Sequence, residues 1–432
     1  MRSSTLAVAV AFSALSACAP SSNRTPDSAG AAAGGSTAAA AGPASAGTAC
    51  ANPLETRAAN TADQQPAFPG QTRACAAPSN VAFDVAVVAK GLEHPWAVEP
   101  LPGGDLLVTE RPGRLRIVTA AGAVGKPITG LPAVDAGGQG GLLDVALSPA
   151  FDTDRTIFWS YSEPREGGNA TSVARGALSA DRTRLESVKV IFRAMPAYKG
   201  NLHFGSRLAF GQDGTLYITL GERSDAPMRP QAQQLTSHMG KILRINADGS
   251  VPTDNPFVGQ ANALPEIWSL GHRNAQAAAF DSQGRLWEAE HGTRGGDELN
   301  LVEKGKNYGW PLQAYGIEYS GAPITSPAGS ATTTREGMEQ PLYYWDPVIA
   351  PSGAQWYSGD AFPAWKGSLF IGGMKDRILV RLTIENDRVT GEEHLLADRR
   401  QRVRDVRQGP DGALYIVTDE DNGELWRVAP RP

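Results

Sequence analysis

Cysteine is scarce in this chain, and its scarcity limits what can hold the fold together. Only 3 of the 432 residues are cysteines, too few for the disulfide-rich scaffold of a small secreted domain. Cys50 and Cys75 have no histidine or cysteine neighbours at metal-site spacing, so we expect them to carry no chemistry. In an oxidising compartment the two thiols either pair or remain free, and the sequence leaves both alternatives open.

Excess positive charge and long apolar runs are also missing. Lys and Arg number 40 against 45 Asp and Glu, for a formal net charge of −5. This balance excludes a nucleic-acid partner, because phosphate binding needs a clustered excess of basic side chains. Beyond the N-terminus no apolar stretch approaches the roughly 20 residues of a transmembrane helix. Membrane contact is therefore expected only through a lipid anchor.

The first 18 residues carry the pattern of an export signal. They contain Arg2, an apolar run from Leu6 to Leu15, and the tetrapeptide Leu-Ser-Ala-Cys that ends at Cys18, which resembles a bacterial lipobox. Residues 1–18 are therefore predicted to be a lipoprotein signal peptide, with an acylated Cys18 that anchors the protein on the periplasmic side of the cell envelope. The alternative is an ordinary cleaved signal peptide that takes Cys18 with it.

Two regions of different composition follow this signal. Residues 19–80 are rich in Ala, Gly, Ser and Thr and have almost no large apolar side chains. Such a stretch cannot bury enough surface to offset its ordering entropy, so a disordered linker is predicted. Residues 81–432 show no second change of composition, and apolar segments there alternate with Gly, Pro and Asp turns. We interpret residues 81–432 as one domain.

An internal repeat within residues 81–432 predicts the fold. The chain has 48 Gly and 31 Pro but only 20% charged residues, which favours a turn-rich, all-β protein. A hairpin with a tight Gly turn recurs at Leu208–Leu220, Ala278–Ala289 and Val406–Val417. Looser copies lie at 98–109, 145–161 and 361–372. Six hairpins, each with room for a four-stranded sheet, predict a six-bladed β-propeller.

The turn glycines also mark equivalent positions in successive blades. Because the open ends of a hairpin lie opposite its turn, residues at matched distances from a turn should share one mouth of the central shaft. Spacings measured from Gly214, Gly284, Gly367 and Gly412 bring together His203, Glu222, Arg273, Gly292, Lys375, Arg402 and Arg404.

Four of these seven residues are cations, and their grouping suggests a ligand. Positive charge concentrated around an empty shaft would be costly, so a multiply charged anion is expected there. His203 is a candidate general base. The alternative is that each cation pairs with a nearby carboxylate, such as Asp405 or Asp376, and that His203 is structural.

Eight segments, in order, resemble the soluble aldose and glucose dehydrogenases that depend on pyrroloquinoline quinone (PQQ). The similarity runs from about Leu92 to Val428 and rests on GLEHPWA (91–97), GQGGL (138–142), HFGSRL (203–208), LGHRN (270–274), EHGTRGGDELN (290–300), NYGWP (307–311), APS (350–352) and RVRDV (402–406).

The resemblance implies PQQ- and calcium-dependent oxidation of an aldose sugar at C1 to the lactone, by hydride transfer to the quinone. His203 would be the general base, and Arg273 would stabilise charge on the quinone oxygen. The implied partners are the sugar and an electron acceptor. The implied cofactor-binding residues are Gln139, Arg273, Asn274, His291, Lys375, Arg402 and Arg404.

The resemblance also implies metal sites. Calcium, which prefers oxygen ligands, would bind the main-chain oxygens of Gly292 and Thr293, and a second calcium site would lie near Glu298 and Tyr308. The chain departs from the glucose-oxidising members of the family at four positions. These members have an aspartate, a glutamine, a proline and a threonine where this chain has Glu222, His291, Thr293 and Val348.

Two other functions fit the same architecture. A calcium-dependent lactonase would need side-chain carboxylates on a metal in the shaft, and Glu222 and Glu420 are the carboxylates at the shared positions. A propeller that binds glycans or proteins without catalysis is the second alternative. The set of His203 and four cations argues against both.

Overall fold

Six antiparallel sheets form the blades of a propeller in the computed structural model, which describes residues 50–326 and 328–431. The prediction of an all-β, six-bladed β-propeller is therefore confirmed. Strands such as Leu216–Leu220 and Leu414–Thr418 are buried along their length, because each blade packs against a neighbour on both faces. Their β-branched and aromatic side chains suit such a surface.

The first three blades follow one another along the chain after an opening strand. In the described residues the elements are β1 (Phe83–Leu92); blade 1, β2 (Pro95–Pro100), β3 (Leu106–Glu110) and β4 (Arg114–Val118); blade 2, β5 (Leu142–Leu147), helix α1 (Phe151–Asp154), β6 (Thr156–Arg165), β7 (Gly168–Leu178) and β8 (Leu185–Arg193); and blade 3, β9 (Leu208–Phe210), β10 (Leu216–Leu220), a 3-10 helix (Arg229–Gln233), β11 (Lys241–Ile245) and β12 (Ile267–Leu270).

The last three blades have the same order of strands from the axis outward. They are blade 4, β13 (Ala275–Phe280), β14 (Leu286–Glu290), β15 (Asp297–Val302) and β18 (Tyr343–Trp345), with the small ribbon β16 (Thr325–Ser326) and β17 (Gly329–Ser330) inserted; blade 5, β19 (Pro351–Trp356), a 3-10 helix (Pro363–Trp365), β20 (Leu369–Gly373), β21 (Ile378–Glu385) and β22 (Arg388–Leu395), followed by a 3-10 turn (Ala397–Arg399); and blade 6, β23 (Val403–Gln408), β24 (Leu414–Thr418) and β25 (Gly423–Pro430).

The two ends of the domain close the ring. Strand β1 pairs antiparallel with β25 and becomes the outer strand of blade 6, with Phe83 opposite Pro430 and Leu92 opposite Gly423. The innermost strands contact one another in the cyclic order β2, β5, β9, β13, β19, β23 and back to β2. The start of each blade is therefore held at the central shaft.

Buried ion pairs cross the shaft. The Arg207 guanidinium lies 2.7 Å from Asp144 and 3.1 Å from Asp405, and all three side chains are fully buried. Arg407 also reaches Asp405, at 3.2 Å. These charges come from blades 2, 3 and 6, and they replace an apolar core at the axis. Between the blades the core is apolar, as where Trp159 of blade 2 packs with blade 1.

The six predicted hairpins can each be compared with the strands of the structure. Five of the six turns join the first two strands of a blade where predicted. The sixth prediction, at 361–372, is wrong for its first strand. The inner strand of blade 5 is β19, ten residues earlier, and residues 357–368 form the connection. Phe362 and Trp365 of this connection are buried and stacked, so the segment is apolar for a reason other than strand formation.

The linker predicted for residues 19–80 is corrected for its last part. Residues 50–80, which we call the N-terminal strap, pack along the outside of blades 4 and 5. Cys50 and Cys75 form a disulfide, which decides between the two alternatives that the sequence left open. The strap is ordered because polar contacts replace the missing apolar burial. The predicted signal peptide, Cys18 and residues 19–49 lie outside the described residues.

No helix in residues 50–326 and 328–431 is long and apolar enough to cross a membrane.

Replacing Arg207 by Leu is expected to lower the free energy of unfolding by about 3–5 kcal/mol, because Asp144 and Asp405 would stay buried with Arg407 alone, at 3.8 and 3.2 Å. Urea unfolding followed by tryptophan fluorescence measures this. The control is Arg427→Leu, which breaks an exposed pair with Asp411 and should cost less than about 1 kcal/mol. Equal losses at the two positions would contradict a stabilising role for the shaft contacts.

Candidate active site

A cavity of about 440 Å³ opens at one end of the shaft. Its walls come from the starts of inner strands and from the loops after second strands, opposite the hairpin turns. Four of the predicted site residues line it: Gln139, His291, Arg402 and Arg404. A second cavity, of about 310 Å³, is lined by His291, Gly292, Thr293 and Lys375. His291 belongs to both walls, so the two cavities adjoin.

His203 and Glu222 form a buried pair beside these cavities. The Nδ1 atom of His203 lies 3.0 Å from a carboxylate oxygen of Glu222, and the same oxygen accepts the main-chain N–H of Ser224. Because a carboxylate only accepts, Nδ1 carries the proton and Nε2 is left with its lone pair. Nε2 makes no hydrogen bond within the described residues, and it is available as a base.

The pKa values of this pair follow from burial and charge. Burial lowers the pKa of His203, the Glu222 carboxylate opposes this shift, and the charge of Arg273 adds to it. The imidazole is therefore neutral at pH 7. Burial alone would raise the pKa of Glu222, but its contacts with His203 and the charge of Arg273 outweigh burial and lower it. The pair thus consists of a neutral base and an ionised carboxylate.

The backbone around this pair is unusual. His203, Ser206, Arg223 and Ser224 all have positive φ angles, between 48° and 93°, a region that non-glycine residues rarely adopt. The main-chain N–H of His203 donates to Gln139 Oε1 at 2.8 Å, which helps hold the conformation. Such conformations cluster at functional sites.

Arg273 lies against the same pair, as predicted. Its main-chain oxygen accepts the N–H of Glu222 at 3.0 Å, and its Nη1 donates to the main-chain oxygen of His291 at 3.0 Å. The guanidinium lies over the ring of Trp310. Its Nε is buried and makes no hydrogen bond within the residues that the structure describes. One donor of a buried cation is therefore left for a ligand.

Arg402 and Arg404 share a carboxylate that the sequence did not suggest. Arg404 lies 2.5 Å and Arg402 3.6 Å from Asp419. Burial would raise the pKa of Asp419, but its contacts with Arg404 hold it well below the usual range. The two carboxylates considered from the sequence lie elsewhere, because Asp405 pairs in the shaft and Asp376 pairs with Arg57. Two of the four cations therefore have a carboxylate partner, though not one considered from the sequence, and Arg273 and Lys375 form no ion pair within the described residues.

Positive charge remains in surplus at this mouth. Arg111 also lines the cavity, and its Nη1 donates to Gly138 O at 2.7 Å. Burial lowers the pKa of Arg111, and Arg404 and Arg402 lower it further despite the attraction of Asp419. The cavity wall thus carries three arginines against two carboxylates, so its positive charge is in excess.

His291 and Asn274 occupy the wall between the cavities. The Nε2 atom of His291 donates to Pro351 O at 2.7 Å, and its Nδ1 faces the Asn274 amide at 3.4 Å. Burial lowers the pKa of His291 to about 3, so the ring is neutral. Asn274 is fully buried, and its side-chain oxygen accepts the N–H of Gly205 at 3.1 Å. We therefore place Asn274 behind the wall, where it supports Gly205 and His291.

Lys375, Gly292 and Thr293 lie together in the second cavity. The carboxylate of Asp297 accepts the N–H of Gly292 at 2.8 Å and those of Ile349 and Ala350. Burial of this carboxylate raises the pKa of Asp297 to about 7. Thr293 Oγ1 is buried and makes no hydrogen bond in the described part of the chain. The loop therefore has a fixed backbone and an unused oxygen.

Glu298 and Tyr308 line a third, narrower cavity with Arg273. Burial and the charges of Glu290 and Glu288 raise the pKa of Glu298 well above its usual value. His272, Glu288 and Glu290 are close enough to hold one cation between them. The Tyr308 hydroxyl donates to Leu301 O at 2.6 Å and its ring stacks on His272. Only the main chain of Tyr308 is thus free to act as a ligand.

Several cavity residues were missed from the sequence. Lys375 was predicted because it lies eight residues after the turn glycine Gly367. Arg111 lies seven residues after Gly104 and Asp419 seven after Gly412, so the same count with a tolerance of one residue would have found both. Trp96 lies in a motif quoted for the family resemblance, and it contacts Arg207 and Arg404. Gln276 lies eight residues before Gly284, as Arg404 lies eight before Gly412, so the same count would have found it, and its side chain accepts a hydrogen bond from Arg404 across the shaft.

Comparison with known proteins agrees with this geometry. Residues 92–427 match the family described as Glucose / Sorbosone dehydrogenase. Aldose sugar dehydrogenase YliI of Escherichia coli (strain K12) is 46% identical over 359 residues, which cover 82% of this chain and 95% of the relative. A crystal structure of a glucose dehydrogenase is 50% identical, with a TM-score of 0.78, and covers 81% of this chain and 100% of its own. The PQQ-bound form of Aldose Sugar Dehydrogenase (Adh) from Streptomyces coelicolor is 29% identical, with a TM-score of 0.66, over 82% and 100% of the two chains. The chain therefore belongs to the Glucose / Sorbosone dehydrogenase family.

Proposed function

We propose that this chain is a sugar dehydrogenase that oxidises aldoses at C1 to the lactone, with PQQ and calcium as cofactors and His203 as the general base. The observation that carries the proposal is the buried, neutral His203, oriented by Glu222 and placed next to a surplus of cations. The names of the relatives support the substrate class. A separate electron acceptor completes the cycle, because each turnover removes two electrons from the sugar.

The residues present fit PQQ, which carries three carboxylates. Arg402 and Arg404 line the larger cavity and Lys375 the adjoining one, while Arg273 lies at the edge of a third. The Nε atoms of Arg273 and Arg404 are buried and unpartnered in the described residues, as expected where an anion is to bind. A volume of about 440 Å³ lies within the range of small-molecule sites. The Gln139 amide would add a polar contact, and His291, whose ring nitrogens are engaged by Pro351 and Asn274, would contribute its ring to the wall that Asn274 supports.

The residues also fit calcium, which binds oxygen ligands in flexible geometry. The main-chain oxygens of Gly292 and Thr293 would hold it, and Thr293 Oγ1 is an unpartnered oxygen beside them. A Cβ on Gly292 would lie 2.3 Å from the main chain of Gly296, so the loop requires glycine there. We propose a second cation near Glu298 and the main chain of Tyr308, where adjacent carboxylates are buried.

The roles of the chain's own residues follow from their contacts. When bound, PQQ supplies a two-electron acceptor and calcium supplies a Lewis acid. His203 takes the proton of the C1 hydroxyl at Nε2. Glu222 holds the proton on Nδ1 and stabilises the imidazolium that forms. Arg273 contributes a buried positive charge that stabilises negative charge developing beside His203.

The contacts disfavour both alternative functions. A lactonase of this architecture would bind its metal through carboxylates at the mouth of the shaft, but Glu222 is engaged by His203 and Ser224. Asp419 is engaged by the arginines, and Glu420 accepts the main-chain N–H of Arg402 at 3.3 Å. A binding module without catalysis would have no use for a neutral, oriented histidine.

We also propose that the chain is exported and held at the periplasmic side of the envelope by a lipid on Cys18. The Cys50–Cys75 disulfide supports export, because disulfides persist in oxidising compartments. Cys18→Ala should abolish incorporation of labelled palmitate and release the protein from the membrane fraction. The control Cys50→Ala/Cys75→Ala should keep the label. Equal labelling of the wild type, Cys18→Ala and this control would contradict the lipid anchor.

Reconstitution tests the proposed function directly. Apo-protein mixed with PQQ and Ca²⁺ should reduce an artificial dye when glucose or another aldose is added, and omission of PQQ, Ca²⁺ or sugar should abolish the reduction. Absorbance of the quinone before sugar is added measures binding separately. The proposal would be contradicted if dye reduction did not require PQQ. It would also be contradicted if the protein bound no quinone at any Ca²⁺ concentration.

Removal of the base has a characteristic pH dependence. His203→Ala should lower kcat/KM by about 10²- to 10⁴-fold. In the wild type kcat/KM should be constant at high pH and fall only below the lowered pKa of His203, which lies under its ordinary value of about 6.5. Because Glu222 raises that pKa, Glu222→Gln should move the acid limb to lower pH and reduce the rate.

The control for these two variants is Asp411→Asn, which alters an exposed carboxylate paired with Arg427. Its pH profile should match the wild type. A Glu222→Gln profile with an unchanged or raised acid limb would contradict the assignment of His203 as the titrating base.

A further inference from the structure

The N-terminal strap, residues 50–80, precedes the part of the chain that matches the family, which begins at residue 92. It nevertheless contacts the loop that carries Gly292 and Thr293. Asn60 lines the second cavity together with Lys375 and that loop. The strap therefore lies outside the matched residues and reaches the proposed cofactor site.

Asp346 is the main contact between the strap and the loop. One carboxylate oxygen accepts the main-chain N–H of Asn60 at 2.9 Å and its side-chain amide at 2.6 Å. The other accepts the main-chain N–H of Thr61 at 3.2 Å and its hydroxyl at 2.9 Å. On its opposite side the carboxyl group packs against Gly295, where an added Cβ would lie 2.9 Å away. Four donors from the strap thus fix a buried carboxylate against the loop.

Two further contacts reach the same region. The Asn60 side-chain oxygen accepts a hydrogen bond from Arg294 Nε at 3.0 Å, so Asn60 connects Asp346 directly to the loop. Arg57 forms an ion pair of 2.5 Å with Asp376, the residue after Lys375. The strap therefore holds the sequence neighbours of both Thr293 and Lys375, which line one cavity.

The strap is itself fastened at several points. Gln64 and the main chain of Gly316 exchange two hydrogen bonds, of 3.1 and 2.8 Å. The main chain of Cys75 accepts the N–H of Glu392 in blade 5 at 2.9 Å. The disulfide to Cys50 closes the strap into a loop, which limits the conformations it can adopt when detached.

We propose that the strap is a clamp that positions the loop 292–296 and Lys375 for binding of the cofactor and its metal, with Arg57, Asn60 and Thr61 as positioning residues. This inference rests on the proposed function. Groups that orient metal ligands from behind typically change affinity by 10- to 100-fold when they are removed. The expected effect on the dissociation constants of PQQ and Ca²⁺ is therefore about tenfold or more.

The test uses the full-length protein without cofactor and three variants: Asn60→Ala/Thr61→Ala, Arg57→Ala and Cys50→Ala/Cys75→Ala. Two readouts are independent of turnover. Titration with PQQ at saturating Ca²⁺, and with Ca²⁺ at saturating PQQ, gives the dissociation constants by quinone absorbance. Hydrogen–deuterium exchange of peptides covering 291–297 and 374–377 reports the loop and Lys375 before any ligand is added.

Each variant should raise the dissociation constants about tenfold and speed exchange in these two peptides, while exchange in β10 and β24 stays as in the wild type. Arg57→Lys should restore most of the affinity. The control Arg431→Ala removes another exposed arginine, paired with Asp84, and should change neither readout. Arg57 is half-exposed, so its variant tests the clamp even where the double variant fails to fold.

The outcomes separate the clamp from the proposed function. Suppose that the wild type binds PQQ, and that folded Arg57→Ala and Asn60→Ala/Thr61→Ala show the same affinity and the same exchange as the wild type. This result would overturn the clamp and leave the dehydrogenase assignment intact. Failure of the wild type to bind PQQ would overturn the proposed function. Faster exchange confined to 291–297 and 374–377 would then still establish that the strap holds the loop.

Discussion

Closure of the ring is the constraint on which the rest of the structure depends. Pairing of β1 with β25 joins the two ends of the domain, and the six inner strands then have no freedom to move away from the axis. Residues as far apart in the chain as Gln139 and Arg404 meet at one cavity for this reason. The charges at the shaft, with Arg207 between Asp144 and Asp405, make this convergence polar, so correct closure is also a requirement for charge pairing.

The balance of charge differs between the shaft and its mouth. In the shaft, arginines and carboxylates alternate at hydrogen-bond distance. At the mouth, Asp419 is shared by Arg402 and Arg404, with Arg111 near enough for its pKa to be lowered by them. A fully paired mouth would have little affinity for an anion, and an unpaired one would be costly to fold. The arrangement lies between these limits. Burial and the charge of Arg273 keep His203 neutral, so the positive charge that favours an anion at Arg273 also favours general-base chemistry at His203.

Much of the fold and of the site could be predicted because each hairpin of the repeat is specified by residues that are close together in the sequence. The turns around Gly214, Gly284 and Gly412 require a residue that tolerates positive φ, and the apolar runs beside these turns form the first two strands of their blades. His203, Arg273, Arg402 and Arg404 followed from counting along those strands. The first strand of blade 5 was missed because the connection 357–368 is itself apolar, with Phe362 and Trp365 buried. The strap was missed because it is held by polar contacts, and composition measures only apolar burial.

The sequence by itself determined the class of fold, the number of blades and the end of the shaft at which the histidine and the basic residues gather, since these depend on spacing within hairpins. Only the tertiary structure decided which charges pair. Asp419 rather than Asp405 or Asp376 faces the arginines of the mouth, Cys50 reaches Cys75, and Asp346 receives Asn60 and Thr61. Cys50, Asn60 and Thr61 lie outside the repeat, and Asp419 meets Arg404 across the open end of one hairpin of blade 6. These distances are set by how the side chains pack in three dimensions, which the spacing pattern does not encode.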